Sequence, residues 1–501
     1  MTNEKKKEQK FYITTTLPYV NGKPHIGHAM EFVRADVLAR HKRVLLGDEN
    51  VFFNTGTDEH GQKIADKAKE ENLTPQEYTD KMSENFKKLT KVLNISYDNF
   101  IRTTDDYHIK AAQKFWEVVD ENGFIEKRKY QVKYCVGCEM EKTDSELVNG
   151  VCPDHPNKEL EIIDEENYFF KASEFTEKLK DYFKKNPVIP EFRQNEIVSL
   201  IEREGMKDFS ISRLKEKMEW GVPVPNDEEQ VMYVWFDALV DYISTLGWGG
   251  DDEKKFEEFW QSENSTVFQI AGKDNLRPQA AMWQTMLMAA GIKNSDKIYI
   301  NGHITADGGQ KMSKSLGNVI DPLNVVKKYG VDAFRFFVIK HLHNHEDSAW
   351  TPERFHEAYT ADLVNGLGNL TSRILAMSSK NEIKLFDDGR GYPIFGRQNS
   401  KLENYDFNGE AEEIWKSISD LDELISRTEP FKLAKSENPE DKEKLKVVLL
   451  ALLNGLWAVA DWVAPIMPET SEKIKLAIKE NKKPEAPIFP RIEFENKGGK
   501  K

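Results

Sequence analysis

The chain has 501 residues, 39% hydrophobic, 31% charged and 11% aromatic, and carries three cysteines. At roughly 150 residues per domain this is three or four folded units, and the composition excludes a disordered chain, a collagen and a disulfide-stapled miniature. The net charge of −14 argues against indiscriminate coating of polyanions but leaves room for a local basic groove.

The polar N-terminal segment has no apolar run of the signal-peptide kind behind it, and the scarce thiols suit a reducing compartment, so a cytoplasmic protein is expected. A β-branched and aromatic run over 11–16 predicts a strand, which the Pro18, Asn21-Gly22 and Pro24 loop ends. Met30, Val33, Val37, Leu38 and Val44 then recur at helical spacing over 27–46, and 50–55 reads as a second strand. Strand, helix and strand in so short a stretch suggest a βαβ unit of a parallel sheet. Helical patterns follow over 74–93 and 105–122.

Residues 126–225 differ in character, holding all three cysteines, short β-like runs and a Pro-rich exit, and are expected to be an insertion. Strands over 231–236, 266–270 and 297–300, with a helix over 279–290, resume the sheet, so the whole is a doubly wound α/β fold split by an inserted domain. From about 360 onward strands vanish, and helical patterns over 357–379, 410–427, 441–463 and 468–480 suggest a bundle. The stretch 383–409 reads as a long polar connection. The longest apolar run, 447–460, is interrupted by Asn454 and Gly455, and falls short of the roughly 20 residues that span a bilayer; a buried helix is expected, and no membrane partner. The expected division is 1–125 and 226–345 for the two sheet halves, 126–225 for the insertion and 346–501 for the helical part.

Cys135-x2-Cys138 and Cys152-x2-His155 are two short knuckles carrying the soft ligand set that zinc prefers, and four protein ligands make a closed, structural site. Three unrelated thiols beside a surface histidine is the plain alternative. Pro24-His25-Ile26-Gly27-His28 lies where the first strand becomes the first helix, and two imidazoles at a helix N-terminus add donors to the exposed N–H groups that attract phosphate. Thr57-Asp58-Glu59-His60-Gly61 ends the second strand, where Asp58 suits an ammonium or a ribose hydroxyl, or else caps the next helix. Downstream, Gly308-Gly309-Gln310-Lys311-Met312-Ser313-Lys314-Ser315 is a glycine-flanked, doubly cationic loop suited to a pyrophosphate, or an exposed basic turn.

Taken together, the strand–PHIGH–helix segment and Lys311 to Ser315 resemble the HIGH and KMSKS signatures of the class I aminoacyl-tRNA synthetases. Thr16 to Gly22, the Thr57 to Gly61 segment, Val234-Trp235-Phe236-Asp237-Ala238-Leu239, Gly272-Lys273-Asp274 and Tyr329 to Arg335 narrow the resemblance to the methionyl branch. It extends through residue 480 and implies a Rossmann-like catalytic domain, a zinc-knuckle insertion and an all-α anticodon-binding bundle. It also implies L-methionine, ATP with Mg²⁺, and tRNA(Met) as substrates and partners, and no DNA. By that resemblance His25, Gly27, His28, Lys311, Ser313 and Lys314 would hold ATP, Asp58 the amino acid's ammonium, and Lys273 and Asp274 the adenylate. Glu31 and Arg213 would assist transfer. Leu17, Tyr19, Trp235, Ala238, Leu239, Tyr242, Gln279 and Trp283 would line the methionine slot; Trp235 and Trp283 are otherwise core aromatics. Cys135, Cys138, Cys152 and His155 would bind one structural Zn²⁺. Asn369, Arg373 and Phe431 would read the CAU anticodon, Phe431 being otherwise a bundle-core aromatic.

The chain departs from the pattern after Lys273-Asp274, where Pro278 and Gln279 replace an aromatic residue and a histidine near the slot. No β-barrel of the kind that dimerises some relatives follows the bundle, so a monomer is expected. Three other readings stay open here: a class I synthetase for a bulky aliphatic amino acid, a catalytically silent tRNA-binding relative, and a zinc-containing nucleotidyltransferase that uses no tRNA.

Overall fold

Five consecutive covered residues, Phe11 to Thr15, make the first strand, Lys10–Thr15, one that is buried on both faces, as strands of parallel sheets are. In the computed structural model it pairs in parallel with Ser265–Gly272, Lys10 opposite Ser265 and Thr15 opposite Ile270. The structure describes residues 9–138, 140–142, 147–310, 312, 320–385 and 399–494. By their contacts these fall into two units, one of Met1–Lys23, Asn54–Phe86 and Asn99–Ile300, the other of Pro24–Phe53, Lys87–Asp98 and Asn301–Lys501.

The first unit is built on a six-stranded sheet in the order Asn99–Arg102, Val51–Thr57, Lys10–Thr15, Ser265–Gly272, Lys297–Asn301, Val188–Ile189. Strand order reverses between Lys10–Thr15 and Ser265–Gly272, and at such a switch point the carboxyl ends of the strands open a ligand cleft. Leu17 and Tyr19 follow one of these ends, and Lys273 and Asp274 the other. Phe11 stacks on Phe268 across the pair, and Trp260 packs on Tyr12 and edge-on to Trp283 beneath it. The last strand, Val188–Ile189, comes from inside the span expected to be insertion: the chain returns to the parallel sheet there, beside Ile298 and Tyr299, before leaving again. Two residues are too short a run for a periodicity to register.

The rest of that span holds the helices Thr176–Phe183 and Glu191–Glu204 and strands of two smaller antiparallel sheets. Ile125–Cys135 pairs with Glu161–Phe170 from Ile125↔Phe170 to Tyr134↔Glu161, flanked by Met140–Lys142 and Phe209–Ser210. Asp227–Met232 lies between Pro223–Val224 and Ser212–Leu214. The strand expected over 231–236 therefore ends at Met232 and belongs to this small sheet. Its second half is helix, Val234–Ala238, started by an extended Tyr233. A six-residue apolar run fits either state by pattern; as a helix its second half puts Trp235, Ala238 and Leu239 on one face.

In the second unit the helix Ile26–Leu46 carries buried charge. Arg34 is fully buried and donates to Asn301 Oδ1 and to the carbonyls of Leu342, His343 and Asn344. The bundle contains the helices Asn369–Lys380, Phe407–Thr428, Pro439–Val463 and Pro468–Glu480. Among the described residues Pro439–Val463 alone is long and apolar enough to cross a bilayer. Its Leu445, Leu449, Leu452, Leu453 and Leu456 are buried, and the other three helices pack on it, the arrangement of a bundle-core helix. The expected 383–409 connection lies partly outside the described residues; Lys401–Asn404 is a short 3₁₀ turn.

Asp36 is paired with Arg335 at 2.6 Å and Arg40 at 2.7 Å, and accepts the Ser96 N–H at 2.6 Å. Burial pushes its carboxyl up, but Arg335, Arg40 and Ser96 together hold it below its ordinary value. The stabilisation is thus present above the unfolded value of about 3.9 and is lost as pH falls through the lower folded value. Asp36→Asn strands the Arg335 charge and is expected to cost about 3–5 kcal/mol in urea unfolding at pH 7. The gap between variant and parent should close in acid below that window.

Candidate active site

The loop after Val51–Thr57 is held by a carboxylate that points inward. Glu59 is fully buried, and Arg102, from the neighbouring strand, grips both its oxygens at 2.8 Å. Thr57 Oγ1 and Thr104 Oγ1 donate to it at 2.6 Å each, and Thr103 Oγ1 accepts the Glu59 N–H. Trp220 closes the other side, donating from Nε1 to the Glu59 carbonyl at 2.6 Å. With Glu59 so fixed, Asp58 and His60 on either side are aimed elsewhere. Asp58 forms a backbone bridge with Tyr19, through Asp58 N to Pro18 O and Val20 N to Asp58 O. It does not cap the next helix, Gln62–Glu70, whose N-cap is Gly61. Gly61 has φ +113°, and a Cβ there would stand 2.6 Å from Tyr19 Oη, so only glycine fits the turn.

Deeper in the same unit, His60 Nδ1 meets Asp237 Oδ2 at 2.9 Å, both buried. Burial raises the Asp237 carboxyl above its ordinary value, with His60 opposing. Asp241 is raised further by burial and by the charges of Asp58 and Asp237, so the three carboxyls share one electrostatic neighbourhood. Of the slot residues, Ala238, Leu239, Tyr242, Gln279 and Trp283 are buried, while Leu17, Tyr19 and Trp235 are partly exposed. Gln279 Nε2 hydrogen-bonds Tyr242 Oη, and Trp283 packs 5.9 Å from the Tyr242 ring. Pro278 begins a π-helical turn, Pro278–Met282, within a stretch that is already helical from Lys273. Lys273 and the exposed Asp274 start the 3₁₀ turn that leads into it. Arg213 is buried, bonded to Ser210 Oγ at 2.6 Å and Ser212 O at 2.8 Å, with its guanidinium 4.4 Å from the Tyr233 ring centroid.

In the second unit His25 is the N-cap of Ile26–Leu46, and the two imidazoles stack at 3.7 Å. His25 Nδ1 accepts the Gly27 N–H and His28 Nδ1 accepts the His25 N–H, each at 3.2 Å. Both Nδ1 lone pairs are therefore engaged, which puts the proton of each neutral ring on Nε2. Burial and the neighbouring His25 hold the His28 pKa well below its ordinary value. Glu31 follows one turn on, half-buried. Lys311, Ser313 and Lys314 lie outside the described residues.

Cys135, Cys138, Cys152 and His155 come together, all four donor atoms within 4.8 Å of one another. Cys138 Sγ is 3.4 Å from Cys152 Sγ and 3.3 Å from His155 Nδ1. Three sulfurs and an imidazole at these separations can close around one tetrahedral ion. In the bundle, Phe431 is 46% exposed, which removes the core-aromatic reading. Asn369 is exposed on the helix whose Arg373 pairs with Asp422.

Glu59, Arg102 and Trp220 escape sequence reasoning, because an acidic residue inside a loop motif reads as a ligand group and its partners lie 43 and 161 positions away.

A family model described as tRNA synthetases class I (M) matches residues 11–161 and 155–375. The methionine–tRNA ligase of Fusobacterium nucleatum is 39% identical over 97% of this chain and 81% of its own length. That of Thermotoga maritima is 38% identical over 98% and 76%. The Mycobacterium tuberculosis methionyl-tRNA synthetase in complex with methionyl-adenylate superimposes with a TM-score of 0.86 at 31% identity, over 96% of this chain and 100% of that one.

Glu59→Gln keeps the shape but halves the bidentate grip on Arg102. It is expected to lower the unfolding free energy by about 3 kcal/mol, read from urea denaturation, by leaving a buried amide against a guanidinium whose remaining carboxylate partner is the half-exposed Asp80 at 2.6 Å.

Proposed function

We propose the following cycle for a chain that belongs to the class I tRNA synthetases and, within them, to the methionine–tRNA ligases. It joins L-methionine to tRNA(Met) at the expense of ATP, through methionyl-adenylate. The methionine carboxylate attacks the α-phosphorus of ATP, the bond to the β-phosphate breaks, and pyrophosphate leaves. A ribose hydroxyl at the 3′ end of the tRNA then takes the methionyl group and AMP departs. Such chemistry asks the protein for position and charge, and little for covalent help.

We assign the ammonium of methionine to Asp58, whose setting is fixed by the Glu59 anchor. A thioether needs a deformable slot with ring edges near sulfur, and Tyr19, Trp235, Tyr242 and Trp283 supply these. Leu17, Ala238 and Leu239 line the remainder. Gln279 substitutes for an imidazole by bonding Tyr242, so a polar end to the slot survives the change. The Nε2–H donors of His25 and His28, with Gly27 permitting close approach, suit ATP phosphates, and Lys311, Ser313 and Lys314 would neutralise the leaving pyrophosphate, with Mg²⁺ accompanying the nucleotide. Lys273 and Asp274 are assigned to the adenylate. Glu31 is kept for transfer; Arg213, spent on Ser210, Ser212 and Tyr233, is assigned there a supporting part.

We assign the four-donor cluster to one structural zinc ion, which would supply the insertion with a fold its small core does not. Asn369, Arg373 and Phe431 are assigned to the CAU anticodon, Phe431 by stacking on a base. The four-part division, a cytoplasmic location and a monomeric state belong to the same reading. What carries it is the full-length likeness to an adenylate-bound synthetase.

ATP–pyrophosphate exchange driven by methionine, with leucine, isoleucine, valine and cysteine run beside it, tests the cycle. Strong exchange with methionine alone is expected; none with any of the five, from metal-replete folded protein, would leave a tRNA-binding protein without activation. Phe431→Ala should weaken tRNA(Met) binding by about 1–3 kcal/mol while leaving exchange unchanged. Elemental analysis should find one zinc per chain, lost in Cys152→Ser.

A further inference from the structure

The metal cluster and the amino-acid slot are joined through a single side chain. Lys63 stands in the first turn of Gln62–Glu70, directly after the loop that Glu59 anchors. Its ammonium donates to the Gly137 carbonyl at 2.8 Å and lies 5.8 Å from the Tyr19 ring centroid. Gly137 belongs to the turn between Cys135 and Cys138, and the His155 ring lies directly on it: a Cβ there would stand 2.3 Å from the imidazole Cγ. On the other side, Tyr19 is bridged to Asp58, and its hydroxyl sits against Gly61. Contacts thus run from His155 through Gly137 and Lys63 to Tyr19 and Asp58 without a break.

We propose that Lys63 is a positioning residue that transmits the closed geometry of the metal knuckle to the methionine slot. It rests on the assignment of Tyr19 and Asp58 to methionine. A carbonyl in a turn points reliably at a donor only while the turn is held, and Cys135, Cys138 and His155 would hold this turn by sharing the assigned ion. With the carbonyl in place, the long lysine side chain keeps one rotamer, and its charge stays over the face of Tyr19, to which a cation is attracted. Released from the carbonyl, the ammonium regains its freedom, Tyr19 loses a partner on that face, and the Tyr19–Asp58 bridge that shapes the ammonium site loosens. The effect falls on methionine binding and spares ATP binding and the chemical step, because Lys63 acts through the Gly137 carbonyl and the Tyr19 face.

Exchange kinetics on the full chain, with metal content checked by elemental analysis, test this. Lys63→Ala and Lys63→Met, each zinc-replete, are expected to raise KM for methionine about fivefold or more while kcat and KM for ATP change less than about twofold; Lys63→Arg, which restores a donor, should recover most of the loss. Calorimetric titration of methionine in the absence of ATP supplies a readout independent of turnover. Removing zinc from the parent should weaken methionine binding by a similar factor, and removing it from Lys63→Ala should add little, the non-additivity of residues acting in one chain of contacts. An unchanged KM for methionine in zinc-replete Lys63→Ala and Lys63→Met, or equal further losses on zinc removal from parent and variant, overturns the proposal. A parent that neither binds nor activates methionine overturns the functional reading itself, and the proposal with it.

Discussion

The carboxylate of Glu59 is the constraint on which the first unit's site depends. A charge with no solvent exposure is tolerable only when every lone pair is met, and here an arginine fork, two threonine hydroxyls and the surrounding loop do so. The consequence is positional. Residue 59 is locked inward, while on either side the Asp58 backbone bridges to Tyr19 and the His60 side chain meets Asp237.

Burial of charge recurs as a method. In the second unit Arg34 answers to four oxygens and Asp36 to two guanidiniums, each placed in the helix that His25 and His28 begin. Networks of this kind contribute less net stability than an apolar core of equal volume, but they define geometry sharply, since any shift leaves a charge unmet. A reaction that relies on position and electrostatics benefits from such rigidity. The stacked histidines fit the same pattern: two backbone N–H groups occupy both Nδ1 atoms, so the backbone sets both tautomers.

Much of this was legible in the linear order of residues. The knuckle spacing pointed to one closed four-donor site, and the four ligand atoms do converge; the apolar helix over 441–463 is the bundle core; Lys10–Thr15 and Ser265–Gly272 flank the switch point. Failures fell where local pattern underdetermines state. The run over 231–236 splits between strand and helix, because six apolar residues satisfy both periodicities until neighbours choose. Val188–Ile189 joins the main sheet with too few residues to leave a signature. Pro278, unexpected in a helical stretch, is accommodated where the 3₁₀ turn Lys273–Asn275 passes into the π-helical turn Pro278–Met282.

By itself the amino-acid order determined the chemistry that is available: which groups can hold phosphate, metal, ammonium or base, since those capacities belong to side-chain types and to short spacings along the chain. Tertiary structure decided which of the groups are spent as buried anchors. Glu59 and Asp58 are adjacent acids in one motif, and nothing local separates them. Arg102, Thr104 and Trp220, brought in from distant positions, claim the first and not the second, because a buried charge goes where its partners are. The same holds for Phe431, whose exposure is a property of the packed bundle and cannot be read from its neighbours in the chain.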